Sequence, residues 1–145
     1  MSPRSIEATK AALAQDFADL SDWTDRYQYL IDLGRTLPAY PDRLRQPVHI
    51  LPGCQAKVWL AAECLDGRLH FHAESDSALV AGLLAILLCL YDGQQPEAIL
   101  ADGSAFFHAL GLEEFLSPHR RNGLAHMLDR IHRSARQCQQ ATHHG

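Results

Sequence analysis

The N-terminal part of the chain has apolar residues at helical spacing. A first amphipathic helix is predicted over residues 6–20, and its apolar face contains Ile6, Leu13, Phe17 and Leu20. Ser21 and Asp22 are suited to cap a second helix, which is expected to end at Gly34. The apolar stripe of this second helix is interpreted as packing surface, and it contains Trp23, Tyr27, Leu30 and Ile31.

From Val58 the spacing of apolar residues changes to strict alternation, which predicts a β-strand. Asp66-Gly67 then favours a two-residue hairpin turn, because both central residues of a type I′ turn need positive φ. This turn sets the register of the following strand and places Cys64 opposite Leu69. Cys64 is therefore expected on the face of the hairpin that points toward the core.

The most apolar segment is 78–91, which has fourteen residues without a charge. It is too short to span a bilayer comfortably and predicts a buried core helix that contains Cys89. Two short helices are predicted after it, over 96–100 and 105–110. Ser117-Pro118 is expected to open the last helix, with the serine as cap and the proline at the first position.

The order of these elements predicts an α+β protein, because the strands and helices do not alternate as they do in a parallel sheet. We expect a small antiparallel sheet of about three strands packed against helices, in one domain over residues 1–145. Residues 138–145 are polar at most positions and are expected to form a frayed tail. Cys138 would then be an exposed thiol without a function.

Composition and charge restrict the functional classes. A chain of 145 residues with a net charge of −4 has no general attraction to nucleic acid or to an anionic membrane. The N-terminal segment lacks the apolar core of a signal peptide, so we expect a cytoplasmic protein whose thiols stay reduced. The four cysteines are too widely spaced for paired zinc ligands, and the glycines form no phosphate-binding loop. We expect no metal and no cofactor.

Cys54 is the cysteine with candidate chemistry. It follows Pro52-Gly53 on a bend, where Gly53 allows the backbone of another molecule to approach closely. The local sequence is equally compatible with a reactive thiol and with a loop cysteine of no consequence. A hydrolase would also need an oriented histidine and an oxyanion hole, for which the sequence offers little beyond His49.

Four segments resemble SufE-type sulfur acceptor proteins, which are small partners of cysteine desulfurases in iron–sulfur cluster assembly. Gly53-Cys54-Gln55 followed by Val58-Trp59 resembles their active-site signature. The other segments are similar to the family's second helix and its exit, to the start of its central helix, and to the start of its closing helix. They comprise residues 22–27 with 33–34 and 37–38, residues 74–76 with 81–85, and residues 116–124.

The resemblance implies a SufE/IscU-like fold and a sulfur-transfer accessory protein that is not an enzyme in the strict sense. Cys54 would accept sulfur as a persulfide and relay it to an iron–sulfur scaffold. Gly53, Gln55, Asp76 and Arg120 are expected to support it, with Arg120 close to Cys54. The hairpin register also places Asp76 opposite Lys57, where it is expected to cap the central helix and tether the loop.

The implied partners are a cysteine desulfurase of the SufS or CsdA type, a downstream scaffold, and a second copy of the chain in a weak dimer. Three alternatives stay open: a CsdE-type acceptor, an iron–sulfur scaffold, and a non-catalytic interaction protein. Gln55 favours the SufE type, whereas the hairpin segment LHFHAES is mixed. Pro52 departs from the family pattern and stiffens one side of the bend.

Overall fold

The computed structural model describes residues 5–144 apart from Gln55, residues 103–104 and residues 113–115. Two helices come first, α1 (Ile6–Ala18) and α2 (Trp23–Gly34), and two short 3-10 turns follow at Asp42–Leu44 and Pro47–His49. A hairpin of β1 (Val58–Leu65) and β2 (Arg68–Ser75) comes next. The remaining helices are α3 (Ala78–Tyr91), α4 (Pro96–Ala101), α5 (Ala105–Ala109) and α6 (Pro118–His144). The expected α+β class is confirmed.

Side-chain caps start the helices close to where the sequence predicts them. The hydroxyl of Ser5 accepts a hydrogen bond from the Ala8 N–H at 3.1 Å and begins α1. The carboxylate of Asp22 accepts one from the Asp25 N–H at 2.9 Å and begins α2. Each cap satisfies a backbone donor that the first helical turn leaves unpaired.

Helix α3 is the centre of the core, and ten of its residues are buried. Helix α2 packs closely against it, because a Cβ atom on Gly34 would lie only 2.7 Å from the backbone nitrogen of Gly82. The predicted burial of Cys89 is wrong, since α3 presents Ala78 and Cys89 to solvent and the thiol is free and exposed. No helix of the described residues is long and apolar enough to cross a membrane.

The hairpin has the register that the Asp66-Gly67 turn predicts. Cys64 pairs with Leu69, and Trp59 pairs with Glu74. The expected sheet of about three strands is wrong, because the described residues form a two-stranded sheet. A single bridge from Ile50 to Trp59 is all that the preceding segment adds. That segment contains a 3-10 turn begun by Pro47, which has no N–H to donate to a ladder.

The connection before the hairpin covers the outer face of the sheet. The rings of Tyr40 and Trp59 pack with their centroids 5.6 Å apart. Arg43 donates two hydrogen bonds of 2.8 Å to the carboxylate of Glu63, and these together with the contact from His72 lower the pKa of Glu63 to about 2. These contacts fix the connection to the sheet before the chain enters the Pro-Gly bend.

The last helix is longer than expected. Helix α6 continues through His144, so the frayed tail predicted over residues 138–145 is wrong for the part that the structure describes. The buried stripe of α6 extends through Ile131 and Ala135 to Cys138, which is 2% exposed. Cys138 forms a disulfide with Cys64, which lies on an exposed part of β1. The predicted face of Cys64 is confirmed, because it pairs with the buried Leu69 and bonds to Cys138, but its predicted burial in the core is wrong, since it is exposed at the end of the hairpin. The expectation of an exposed Cys138 thiol is also wrong.

Candidate functional site

The bend that carries Cys54 is closed at its base by backbone hydrogen bonds of β1. The Leu51 N–H donates to the carbonyl oxygen of Val58 at 2.9 Å. Leu51 itself is buried, whereas Pro52 and Gly53 are exposed. The short segment between Leu51 and Val58 therefore projects as a loop from a fixed base.

Asp76 ties the other side of this base. Its carboxylate accepts a hydrogen bond from the Lys57 N–H at 3.0 Å, and its own N–H donates to the Lys57 carbonyl oxygen at 3.4 Å. The pairing of Lys57 with Asp76 is the one predicted from the hairpin register. The helix cap expected at Asp76 is wrong, because Ser77 is the N-cap of α3 and its hydroxyl accepts from the Val80 N–H.

The bend needs a glycine at position 53 for two reasons. Gly53 has φ +85°, a left-handed conformation that residues with a side chain adopt at a cost. In addition, a Cβ atom at this position would lie 2.7 Å from Nε2 of His126 on α6. The imidazole of His126, an exposed side chain of α6, therefore lies directly against the backbone of the bend.

Cys54 lines a cavity of about 210 Å³ between the bend, α3 and the start of α6. The thiol is partly buried and packs against the main hydrophobic core. Within the described part of the chain, polar and charged side chains at the cavity come from Ser77, His119 and Arg120. The remaining lining is formed by Ala56, Val80, Leu83, Gly123 and Met127. The cavity is thus mainly apolar, and its polar side chains lie at the starts of α3 and α6.

The sulfur atom rests against α6 where that helix has no side chain. A Cβ atom on Gly123 would lie 3.3 Å from Sγ of Cys54, which is closer than ordinary van der Waals contact. Gly123 itself is buried. The helix therefore offers a notch at Gly123 that accepts the thiol of Cys54.

Burial determines the protonation of this thiol. The pKa of Cys54 is raised, because the partly apolar surroundings disfavour the thiolate. The free protein consequently holds Cys54 as a thiol at neutral pH. Since the thiolate is the nucleophile, the resting site is chemically quiet until the cysteine moves or its surroundings change.

Arg120 lines the same cavity as Cys54, as the resemblance led us to expect. Its backbone N–H donates to the hydroxyl of Ser117, which caps the first turn of α6. Its guanidinium donates a hydrogen bond of 3.3 Å to the hydroxyl of Tyr27 on α2. Arg120 is exposed, so its charge is available at the surface near the bend.

Two residues at the site, His126 and Gly123, are not among the functional residues that the sequence predicts. Gly123 stands within the segment that resembles the family's closing helix, but its contact with Cys54 depends on how α6 packs against the bend. His126 carries no sequence signal that distinguishes it from other exposed helix residues. Gln55, the remaining supporting residue expected from the sequence, lies outside the described residues.

The cysteines and acidic groups of the described residues do not assemble a metal site. No group of three or more histidine, cysteine, aspartate or glutamate side chains is placed to hold a metal ion within the described ranges. Cys54 and Cys89 are free, whereas Cys64 and Cys138 are bonded to each other. Cys54 is thus a free, half-buried thiol beside an apolar cavity.

These features define a class of small α+β proteins in which a half-buried cysteine stands on a glycine bend above an apolar cavity. The SufE family model, described as an Fe-S metabolism associated domain, matches residues 11–135. The chain therefore belongs to the SufE family, and the resemblance seen in the sequence is confirmed.

Individual relatives agree with this assignment. An uncharacterized SufE-like protein of Rhizobium meliloti (strain 1021) is 40% identical over 124 residues, which cover 82% of this chain and 89% of that protein. The sulfur acceptor protein CsdE of Escherichia coli (strain K12) is 38% identical over 124 residues, covering 84% of each. The solution structure of a hypothetical protein from Thermus thermophilus has a TM-score of 0.78 at 23% identity, covering 97% of this chain and 99% of that one, and supports the fold alone.

Proposed function

We propose that the protein accepts sulfur on Cys54 from a cysteine desulfurase and relays it to an iron–sulfur cluster scaffold. The family description refers to Fe-S metabolism, and the relative from Escherichia coli is named a sulfur acceptor. One observation carries the proposal: Cys54 is a free, partly buried thiol on a bend above a cavity of about 210 Å³. A cavity of this size has room for one additional sulfur atom.

The transfer is a thiol–disulfide type of exchange. The thiolate of Cys54 attacks the terminal sulfur of a persulfide on the desulfurase, and a new S–S bond forms to that sulfur. The bond between the terminal sulfur and the desulfurase cysteine breaks, and that cysteine leaves as a thiolate. The proton lost by Cys54 returns to this leaving thiolate. The exchange consumes no oxidant or reductant.

The resting geometry protects Cys54 and must change during transfer. Burial raises the pKa of the thiol, so docking of the desulfurase has to draw Cys54 out of the cavity or stabilise its thiolate. Gly53 supplies the backbone freedom for this movement, and Asp76 keeps the base of the loop fixed. We assign Arg120 the role of placing the partner's cysteine, because its exposed guanidinium lies at the same cavity.

Return of Cys54 to the cavity would shelter the persulfide between the two transfers. A sulfane sulfur exposed to water is lost to reductants and to other thiols. The apolar lining and the notch at Gly123 cover part of the sulfur and would reduce its contact with such reagents. Gln55, next to Cys54, is proposed to support the same movement.

The test is the intact mass of the protein after incubation with a cysteine desulfurase and cysteine. We expect the mass of one sulfur atom to be added to the wild-type chain and to Cys89→Ser, and none to be added to Cys54→Ser. Reductant should remove the added mass. Sulfur acceptance by folded Cys54→Ser, or none by wild type beside an active desulfurase, would show that the proposal is wrong.

The partner desulfurase is the second question, because the chain is related to CsdE as well as to proteins described as SufE-like. The two roles are distinguished by measuring how strongly the same preparation activates a SufS-type and a CsdA-type desulfurase. A SufE-type protein should activate the SufS type more strongly, and a CsdE-type protein the CsdA type. We propose the SufE-type role. A preference for the CsdA type would favour the alternative while leaving sulfur acceptance at Cys54 intact.

A further inference from the structure

The C-terminal half of α6 is fastened to the tip of the hairpin by the disulfide between Cys64 and Cys138. The two residues are 74 positions apart in sequence, and their Cα atoms are 5.5 Å apart, a separation typical of disulfides. The bond joins β1 to α6. On each of these two elements it lies far along the chain from the residues next to Cys54. Neither of its sulfur atoms is the acceptor in the sulfur transfer proposed above.

The two cysteine residues differ in their exposure to solvent. Cys64 is exposed near the hairpin turn, next to Leu65, which is 52% exposed. Cys138 is 2% exposed and lies in the buried stripe of α6. Because Cys64 is the more exposed residue of the pair, the side of Cys64 is the side on which a thiol from solution meets the bond.

Between this bond and the Cys54 bend, the hairpin and α6 are not densely packed. A surface groove of about 270 Å³ lies between them, lined by Leu60 and Ala62 of β1, by Arg130, Arg133, Ser134 and Gln137 of α6, and by Val48 and His49 of the segment before the hairpin. On its core side this half of α6 is still held by its buried stripe, which includes Ile131 and Ala135. The disulfide therefore adds a covalent attachment on the side of the helix that faces the hairpin.

We propose that Cys64 and Cys138 form a redox-active cross-link, which a low-molecular-weight thiol opens by attack on Cys64, and which releases the C-terminal half of α6 from the hairpin when it opens. Such a thiol is typified by glutathione. Reduced glutathione attacks Cys64 as its thiolate and forms a mixed disulfide there, while Cys138 leaves and takes up a proton. A second glutathione thiolate then attacks the glutathione sulfur, which yields oxidised glutathione and the Cys64 thiol. Two thiols are oxidised and one protein disulfide is reduced.

The cross-link also bears on Cys54, because β1 follows the bend and α6 carries the residues against which the bend rests. Gly123 and His126 belong to the same helix as Cys138, and Cys64 belongs to the same strand as Val58. Opening the bond loosens the relative position of these two elements. This regulation of the Cys54 site rests on the proposed function, whereas the exchange at Cys64 does not.

The first measurement uses the Cys89→Ser protein, which keeps three of the four cysteines. It is equilibrated without oxygen in buffers of different ratios of reduced to oxidised glutathione, then quenched and treated with N-ethylmaleimide. Intact mass shows one added maleimide where the bond is closed and three where it is open. We expect the fraction closed to change across these ratios. A pair that is closed at every ratio, or open at every ratio, would overturn the proposal.

The second measurement locates the attack. In the Cys89→Ser background, Cys138→Ser leaves Cys64 without its partner, and Cys64→Ser leaves Cys138 without its partner. We expect oxidised glutathione to form a mixed disulfide about tenfold faster at Cys64 than at Cys138, since the exposed thiol is the accessible one. Equal rates, or faster reaction at Cys138, would contradict the assignment of Cys64 as the attacked sulfur.

The third measurement follows the release of α6. Hydrogen exchange of residues 128–141 should be faster in the open form, and the alkylation rate of Cys54 should rise about threefold, a modest coupling between packed elements. The double variant Cys64→Ser with Cys138→Ser should show no dependence on the glutathione ratio. Unchanged hydrogen exchange would overturn the release of the helix. All three measurements are made without a desulfurase, so their failure is distinct from a failure of sulfur acceptance.

Discussion

The Sγ atom of Cys54 lies 3.3 Å from the position that a Cβ atom would occupy on Gly123. We therefore expect Gly123→Ala to push the thiol out of its notch and to raise the alkylation rate of Cys54 about threefold or more. The same substitution should not weaken α6, because alanine is favoured over glycine in a helix by about 0.5–1 kcal/mol. Alkylation is measured by mass spectrometry in the Cys89→Ser background.

The matched control for this substitution is Asn122→Ala, an exposed neighbour on the same helix. It should leave the alkylation of Cys54 unchanged. If Gly123→Ala leaves the rate unchanged as well, the close contact does not hold the thiol in place.

Asp76 should keep the loop closed in the free protein. Asp76→Ala removes the acceptor for the Lys57 N–H, and the loss of about 1 kcal/mol should raise the alkylation rate of Cys54 about fivefold. Asp76→Asn retains an acceptor oxygen and should restore most of the slow rate. Glu74→Ala removes a carboxylate from β2, two residues before Asp76, and serves as the control for lost charge. Equal effects of Asp76→Ala and Glu74→Ala would argue against a specific tether.

Features that depend on neighbouring residues could be predicted from the sequence, whereas contacts between distant segments could not. The hairpin register depends on the local Asp66-Gly67 turn, so it could be predicted from the sequence. The disulfide depends on the packing of α6 against β1, although the stripe of Leu128, Ile131, Ala135 and Cys138 has a spacing that indicates a continuing buried face. The contact of His126 with Gly53 arises only when the bend meets α6, and no local pattern predicts it.

The pH dependence of Cys54 reactivity should reflect its burial. Because the pKa of the thiol is raised, the midpoint of the alkylation rate against pH should lie above that of a peptide with the sequence of residues 50–58. Below this midpoint the thiol is protonated and reacts slowly, and above it the thiolate predominates. Addition of the desulfurase should lower the midpoint toward that of the peptide. A midpoint equal to that of the peptide in the free protein would contradict the sheltered site.

Arg120 should affect the encounter with the desulfurase more than the fold. Arg120→Ala is expected to reduce desulfurase activation about tenfold, since it removes the exposed guanidinium at the Cys54 cavity. Arg121→Ala removes the same charge from the next exposed residue of α6 and should have a smaller effect. If Arg120→Ala activates the desulfurase fully, Arg120 has no role in docking and is a solvated residue that contacts Tyr27.

A variant in which Cys54 is the single cysteine tests whether sulfur transfer depends on the disulfide that stabilises the fold. The variant combines Cys64→Ala, Cys89→Ser and Cys138→Ala, and it should accept one sulfur atom from the desulfurase as the wild type does. Its free energy of unfolding should fall by about 4 kcal/mol relative to the oxidised wild type, because the disulfide joins residues 74 positions apart and restricts the unfolded chain. Denaturant unfolding with and without reductant measures this difference, and the variant should not respond to reductant. If the variant stays folded but takes up no sulfur, one of the other three cysteines takes part in the transfer and the assignment to Cys54 alone fails.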